Sequence, residues 1–210
     1  MIEILIADDH AIVREGLKQI VAETEDMTVA DEAGTGQEVL DKIRVKKFDV
    51  VVLDISMPGR GGFDILKQIK REKPKLPVLV LTMHPEEQYA VRVLKNGGAG
   101  YLTKESAPDQ LIAALRRVSS GRKYVSTALA EKLALDLESD QEKPRHENLS
   151  DREYQVLCMI ASGKRVKEIA GELCLSVKTI STYRLRILLK MNMKHNAELT
   201  HYAIKHGLVE

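Results

Sequence analysis

The sequence predicts a doubly wound, five-stranded parallel α/β sheet followed by a smaller, all-α domain of four helices. Two observations carry that expectation. Through residue 120, short β-branched runs alternate with stretches of helical spacing, and beyond Ser126 the strand signal stops while helical spacing continues. A third observation separates the two ends of the chain. Residues 1–123 hold 19 basic against 19 acidic side chains, residues 124–148 hold 3 against 6, and residues 149–210 hold 10 against 6, so the net charge of +1 conceals a basic C-terminal part.

The elements follow in order. Ile2–Ala7 is an isoleucine-rich strand, after which Val13, Leu17, Ile20 and Val21 share one helix face. Met27–Ala33 is the second strand. Thr35 and Glu38 form a capping box for a helix that turns Val39, Leu40 and Ile43 inward. Val50–Leu53 is apolar at successive positions, as a strand covered on both faces requires. Leu66 and Ile69 mark the third helix, Val78–Leu81 the fourth strand, Val91 and Leu94 the fourth helix, and Gly100–Leu102 the fifth strand. Leu111, Ala114, Leu115 and Val118 mark a fifth helix that stops at Gly121. Ser126–Leu137 is a further helix. Glu138–Asn148 has no apolar residue and one proline, which predicts a flexible linker. Four short helices complete the chain: Arg152–Ser162, opened by a Ser150–Glu153 capping box, then Val166–Leu173, Val177–Met191 and Ala197–His206. The boundaries predicted are a domain at 1–123, a helix and charged linker at 124–148, and a second domain at 149–210.

At 44% hydrophobic and 30% charged, the chain can bury a core and remain soluble, which argues against a disordered or fibrous protein. The longest apolar run, Val156–Ala161, is far below the about 20 residues that a membrane span needs. Glu3, Asp8 and Asp9 stand where an export signal would be basic and then apolar, so a cytoplasmic location is expected. Cys158 and Cys174 match no metal or redox spacing and are expected to be free thiols.

In an open α/β sheet ligands bind beyond the carboxyl ends of the strands. Asp8 and Asp9 follow the first strand, Asp54 the third, Thr82 the fourth, and Thr103 and Lys104 the fifth. Three carboxylates on one rim repel one another unless a hard cation sits among them, and Mg²⁺ takes one or two carboxylates plus water and phosphate oxygens. A lysine can neutralise an incoming phosphoryl group, a hydroxyl can hydrogen-bond it, and a carboxylate can accept it covalently. Two enzyme-like readings fail on composition. The string from Gly34 has Val39 in place of the third glycine and follows the second strand, so dinucleotide binding is weak. A strand-end aspartate hydrolase of the haloacid-dehalogenase kind needs a second Asp two residues on as its acid, and Ser56 stands there.

The set Asp8, Asp9, Asp54, Thr82 and Lys104 resembles the flavodoxin-like receiver domain of bacterial response regulators over residues 1–120. The resemblance implies that Asp54 accepts a phosphoryl group from a sensor histidine kinase. It also implies that Asp9, Asp54 and the carbonyl of Ser56 hold Mg²⁺ while Asp8 helps through water, and that Thr82 and Tyr101 shift on activation. Met57-Pro58-Gly59 matches the loop after the acceptor. Glu105 departs from the proline common after the lysine, which removes intrinsic support for a cis bond there.

In the second domain, no acid occurs between Glu172 and Glu198, while Lys178, Arg184, Arg186, Lys190 and Lys194 fall in that gap. A basic patch confined to one end is the footprint of a polyanion site. Val166–Leu173, a short turn, and a helix capped by Ser176 fit a helix-turn-helix at about 166–185. Val177, Ile180, Ile187, Leu188 and Met191 are expected inward, and Lys178, Ser181, Thr182, Leu185, Arg186 and Leu189 outward. The strings LSDREYQVL, SGKRVKEIAGEL and LSVKTISTYRLRILLKM resemble the LuxR-type (NarL-type) DNA-binding domain, and the recognition helix is most similar to regulators of the GacA/UvrY kind. That resemblance implies base contacts from Ser181, Thr182 and Leu185 and backbone contacts from Lys178 and Thr179, with Lys167 and Arg186 also on the DNA side. Arg165-Val166, Ser181 and Tyr183 depart from the usual residues of this pattern. The whole chain is expected to be no enzyme beyond its own phosphotransfer and aspartyl-phosphate hydrolysis. It is expected to be a phosphorylation-dependent transcription regulator that binds double-stranded DNA and pairs as a homodimer through Leu199 and Tyr202, without a membrane partner. The alternative is a receiver that works mainly through protein partners and binds DNA weakly and without sequence preference.

Overall fold

The computed structural model describes residues 1–57, 61–138 and 144–209. Its contacts divide the chain into two compact units, Met1–Leu133 and Ala134–Glu210.

The first unit alternates β1 (Ile2–Ala7), α1 (Ala11–Ala22), β2 (Met27–Ala33), α2 (Gly36–Val45), β3 (Val50–Leu53), α3 (Gly62–Glu72), β4 (Val78–Thr82), α4 (Glu86–Lys95), β5 (Gly100–Thr103) and α5 (Ala107–Ser119). The strands form one parallel sheet in the order β2-β1-β3-β4-β5. Every residue of β3 and β4 is buried, as the unbroken apolar runs require. Ile4, Ile6, Val50, Val52, Leu79 and Leu81 form a core with Leu17, Val21, Leu111, Leu115 and Val118 from α1 and α5. The buried residues of α4 are Tyr89, Ala90 and Val93, whereas Val91 and Leu94 are only half-buried. β4 and β5 each run one residue past the apolar stretch, because Thr82 still pairs with Thr103.

Both sheet edges are met at a few points by other groups. Beyond β5 the chain after α5 returns alongside: Gly100 bridges Tyr124, whose N–H donates to the Ala99 carbonyl at 2.9 Å. A β-carbon at Gly100 would meet Tyr124 Cβ at 2.9 Å, so the close return requires glycine. On β2 the ammonium groups of Lys46 and Lys42 donate to the carbonyls of Ala30 and Glu32. The Thr35 hydroxyl caps α2 by accepting from Glu38 N–H, but the Glu38 carboxylate returns to Gly34 N–H rather than to Thr35 N–H. α6 (Thr127–Glu138) follows, with Leu129 N–H donating to the Ser126 hydroxyl at its start.

The second unit contains α7 (Asp151–Ala161), α8 (Val166–Glu172), α9 (Val177–Met191) and α10 (Asn196–Lys205). Leu157, Ile169, Ile180, Ile187, Met191, Leu199 and Ala203 are buried as its core. The Ser150–Glu153 capping box is complete in both directions. Glu153 is buried and also accepts from Lys190 Nζ at 2.6 Å, which ties α7 to α9. Cys174 in the turn before α9 and Asn192 after it take positive φ. Both cysteines are free, Cys158 buried and Cys174 exposed.

Three expectations need correction. Arg145–Asn148, read as part of a flexible linker, is a turn of 3₁₀ helix: Arg145 donates to the Met191 carbonyl at 3.1 Å and His146 packs among Tyr154, Tyr202 and His206. The anchors are an imidazole and a guanidinium, which a search for aliphatic residues passes over; residues 139–143 of that segment lie outside the described residues. Val177, the first residue of α9, is half exposed, although Ile180 in the same turn is fully buried. Leu199, expected at a dimer contact, has no exposed surface: with Ala203 it forms the inner stripe of α10 against α7 and cannot meet a second copy.

Candidate functional sites

The parallel register brings the carboxyl ends of β1, β3, β4 and β5 to one rim, so residues far apart in sequence meet there. Asp8 and Asp54 are buried, as is Thr82. Lys104 Nζ lies between the two carboxylates, 2.7 Å from Asp54 Oδ2 and 2.6 Å from Asp8 Oδ2. Burial alone would pull the Lys104 pKa down, but hydrogen bonds and attraction from Asp54 and Asp8 outweigh it and hold the ammonium above its ordinary range. Asp54 Oδ1 accepts from Ser56 N–H at 2.8 Å, so both of its oxygens are engaged.

One ammonium among Asp8, Asp54 and the more exposed Asp9 leaves excess negative charge in a partly desolvated place. Donor atoms of Asp8, Asp9, His10 and Asp54 all fall within 4.8 Å of one another. Asp8 Oδ2 is fully buried, and the Lys104 ammonium 2.6 Å away is its partner among the described residues. This hard-oxygen set fits a divalent cation. The Ser56 hydroxyl reaches the Thr82 hydroxyl at 3.1 Å. Tyr101, buried, donates its phenol proton to the His84 carbonyl at 2.9 Å, so its ring already lies inward against the β4–α4 connection. The peptide bond after Lys104 is trans. Pro58 and Gly59 lie outside the described residues.

Sequence reasoning missed His10 and Arg14. His10 stands at the N-cap position of α1, where its side chain makes no capping bond to the helix and its Nδ1 lies beside Asp8 and Asp9, while Arg14 donates to the Asp8 carbonyl at 2.8 Å and pairs with Glu32. The available signal was position: a residue directly after a strand-end acid pair, at a helix N-cap, turns back toward those acids.

The second site is the outer face of α9. The Ser176 hydroxyl accepts from Thr179 N–H at 3.0 Å and fixes the helix start. Lys178, Ser181, Thr182, Leu185, Arg186 and Leu189 are exposed on it, as is Lys167 on α8. Thr179 is half-buried, with its hydroxyl against Ser176 at 2.8 Å. The basic gap is smaller than its charge suggests: Arg184 donates to Asn196 and Lys190 to Glu153, which holds them to the domain. The Ser181 and Thr182 hydroxyls donate to the Val177 and Lys178 carbonyls of their own helix, both at 2.9 Å, and so present acceptor lone pairs outward. Tyr202 is half-buried, its hydroxyl 3.0 Å from His146 Nδ1 and its ring stacked on His206. Among the described residues no helix is long and apolar enough to cross a membrane.

Comparison with known proteins places both sites in context. Residues 4–116 match the response regulator receiver domain, and residues 147–203 match the bacterial regulatory proteins of the luxR family. The chain is 38% identical to the response regulator UvrY of Escherichia coli K12 over 209 residues, covering 99% of this chain and 96% of that protein. It is 37% identical to the response regulator GacA of Pseudomonas aeruginosa over 211 residues, covering 100% and 99%. Among solved structures, the RcsB response regulator of Salmonella typhimurium superposes with a TM-score of 0.72 at 30% identity over 98% of both chains. An RcsB–DNA complex superposes with a TM-score of 0.60 at 30% identity over 97% of this chain and 98% of that one.

Proposed function

Since this chain belongs to the two-component response regulators that join a receiver to a LuxR-family DNA-binding domain, and is thus a DNA-binding transcription regulator, we propose that Asp54 is its phosphoryl acceptor and that a sensor histidine kinase is the donor. The observation that carries the assignment is the Lys104 ammonium held against two buried carboxylates, Asp54 and Asp8. An Asp54 oxygen attacks phosphorus, the bond from phosphorus to the kinase imidazole breaks, and an acyl phosphate forms. Asp54 thereby loses its carboxylate charge, and the Lys104 ammonium follows the charge to the phosphoryl oxygens. Thr82, in contact with Ser56 at the rim, supplies a hydroxyl to the same group. Asp8, Asp9, Asp54 and the Ser56 carbonyl would hold Mg²⁺, which when bound screens the charge between carboxylates and phosphoryl oxygens. The chain's only chemistry is then its own phosphotransfer and the hydrolysis of its acyl phosphate.

The output is double-stranded DNA, met by the outer face of α9 and by Lys167, in the cytoplasm where a kinase and the chromosome are both within reach. Lys178, Lys167 and Arg186 would serve phosphates, and Ser181, Thr182 and Leu185 base edges. Phosphorylation would control pairing into a homodimer and, through it, DNA binding, with Tyr202 at a two-fold contact. RcsB is a relative for which a DNA complex exists, which supports this reading of α9. Incubation of the full chain with acetyl phosphate and Mg²⁺ should add one phosphoryl group by intact mass. Asp54→Ala should remove it, and Lys104→Ala should retain metal binding while uncoupling phosphorylation from DNA affinity. Full labelling of Asp54→Ala would sink the assignment.

A further inference from the structure

The amino ends of β3 and β4 border a groove that the phosphotransfer chemistry does not use. It is a cavity of about 660 Å³ between the α2–β3 turn and the α3–β4 turn, with Ser119 and Gly121 at the end of α5 also lining it. Phe48 leads into β3 and Pro77 into β4, so the groove lies at the opposite end of the strands whose far ends carry Asp54 and Thr82. The four residues of β3, at about 3.3 Å each, put about 13 Å between the two places. Both walls are fixed by the fold. Lys73 N–H donates to the Ile69 carbonyl at 2.7 Å, Leu76 N–H to the Lys73 carbonyl at 3.1 Å, and Lys70 Nζ to the Leu76 carbonyl at 2.9 Å. Opposite, Asp49 N–H donates to the Glu3 carbonyl at 2.8 Å and Lys46 Nζ to the Ala30 carbonyl at 2.9 Å, with the Lys46 ammonium 5.6 Å from the centre of the Phe48 ring. A site formed before its ligand arrives loses little to ordering on binding, and small-molecule sites enclose about 300–1,000 Å³.

The lining joins apolar surface to an unbalanced charge. Ile43, Phe48, Leu76 and Pro77 supply the apolar part, while Lys46, Lys47, Lys73 and Lys75, all exposed, outnumber the two acids Asp49 and Glu72. Both acids are already engaged. Glu72 takes two bonds from the Arg44 guanidinium, at 2.7 and 2.8 Å, which with a bond from Gln68 hold its carboxyl down at about 2. Asp49 Oδ2 accepts from Glu3 N–H at 2.8 Å. Lys47 and Lys75 have no ion pair among the described residues. Cations with no acid left to meet, set beside apolar surface, match an anion with an apolar body. We propose that this groove binds a small amphipathic organic anion, its apolar body against Phe48 and Leu76 and its carboxylate or phosphate toward Lys47 and Lys75. An acidic peptide would satisfy the same lysines, but the bounded volume favours the small molecule.

The dye anilinonaphthalene sulfonate has this chemistry, an aryl body with one sulfonate, and it emits strongly on apolar surface. Fluorescence titration of the full chain at neutral pH should show one saturable site. Octanoate should displace the dye, and octanol, with the same chain length and no charge, should not. The double variant Lys47→Gln, Lys75→Gln should weaken the dye by about five-fold, and Lys47→Glu, Lys75→Glu by more. Lys205→Gln on α10 removes a charge from the other unit and should change nothing. All three substituted lysines are exposed, so the fold is retained. The amide chemical shifts of Phe48, Asp49 and Leu76 should move when octanoate is added. Absence of saturable binding overturns the proposal. So do unmoved groove amides, or equal dye affinity in wild type and the charge-reversed pair, which would put the dye elsewhere. Displacement by octanol as readily as by octanoate would leave an apolar patch with no preference for anions. Displacement by an acidic peptide but not by octanoate would make the groove a protein contact; either result also overturns it.

Discussion

Glu153 shows how one buried side chain can carry both a helix start and an ion pair. Burial pushes its carboxyl upward, but the bonds from Lys190 and Ser150 outweigh burial and hold it below the ordinary value of 4.5. A carboxylate with a depressed folded value contributes its full stabilisation above its unfolded pKa and loses it as pH falls through the folded value. Glu153→Gln should therefore cost the C-terminal unit about 1–3 kcal/mol at neutral pH. Thermal melts of the two chains should converge on acidification; a constant gap down to low pH would show that packing, not charge, is responsible. The box itself was legible in the sequence, since Ser150 and Glu153 stand at capping spacing. The ion pair was not, because nothing local links position 153 to position 190. The strand-end set Asp8, Asp54, Thr82 and Lys104 was legible for a similar reason, since each member is fixed by its own strand's end, whereas the Tyr101 hydroxyl bond to the His84 carbonyl depends on a loop path that no local pattern encodes.

At the scale of elements, α9 has one face that was read well and one end that was not. Leu185 and Leu189, apolar yet exposed, were placed outward by helical spacing, and Ile180, Ile187, Leu188 and Met191 inward. Val177 sits at the same angle as the inward set, but angle does not tell where neighbouring helices end. Leu199 erred the other way: an apolar pair at i, i+3 on α10 reads equally as a partner contact or as a core stripe, and only the packing of α10 on α7 decides. Because Lys178 has no ion pair among the described residues, Lys178→Ala should weaken all DNA sequences alike and reduce the slope of log affinity against log salt by about one unit. The outward acceptor character of the Thr182 hydroxyl makes a different expectation. Thr182→Ala should alter preference at a single base pair by roughly 1–3 kcal/mol. Measured on specific and random duplexes across salt, an equal loss on both for Thr182→Ala would contradict base readout.

For the whole molecule, the switch reading requires that a local charge change at Asp54 alter association. Sedimentation of the full chain with beryllofluoride, an acyl-phosphate mimic, should show a rise in mass together with tighter DNA binding. Unchanged mass and affinity would refute phosphorylation control for this chain, while tighter binding at constant mass would separate DNA affinity from pairing. The partly shielded margins of the sheet bear on how such a pair can be built. Tyr124 lies along β5, and two lysine ammonium groups sit on β2 carbonyls. An open strand margin would template the next copy, and the next, without end. Where a margin is shielded in this way, a pair built on helix surfaces can close on itself at two, and in the switch reading it would come apart again when the acyl phosphate is hydrolysed.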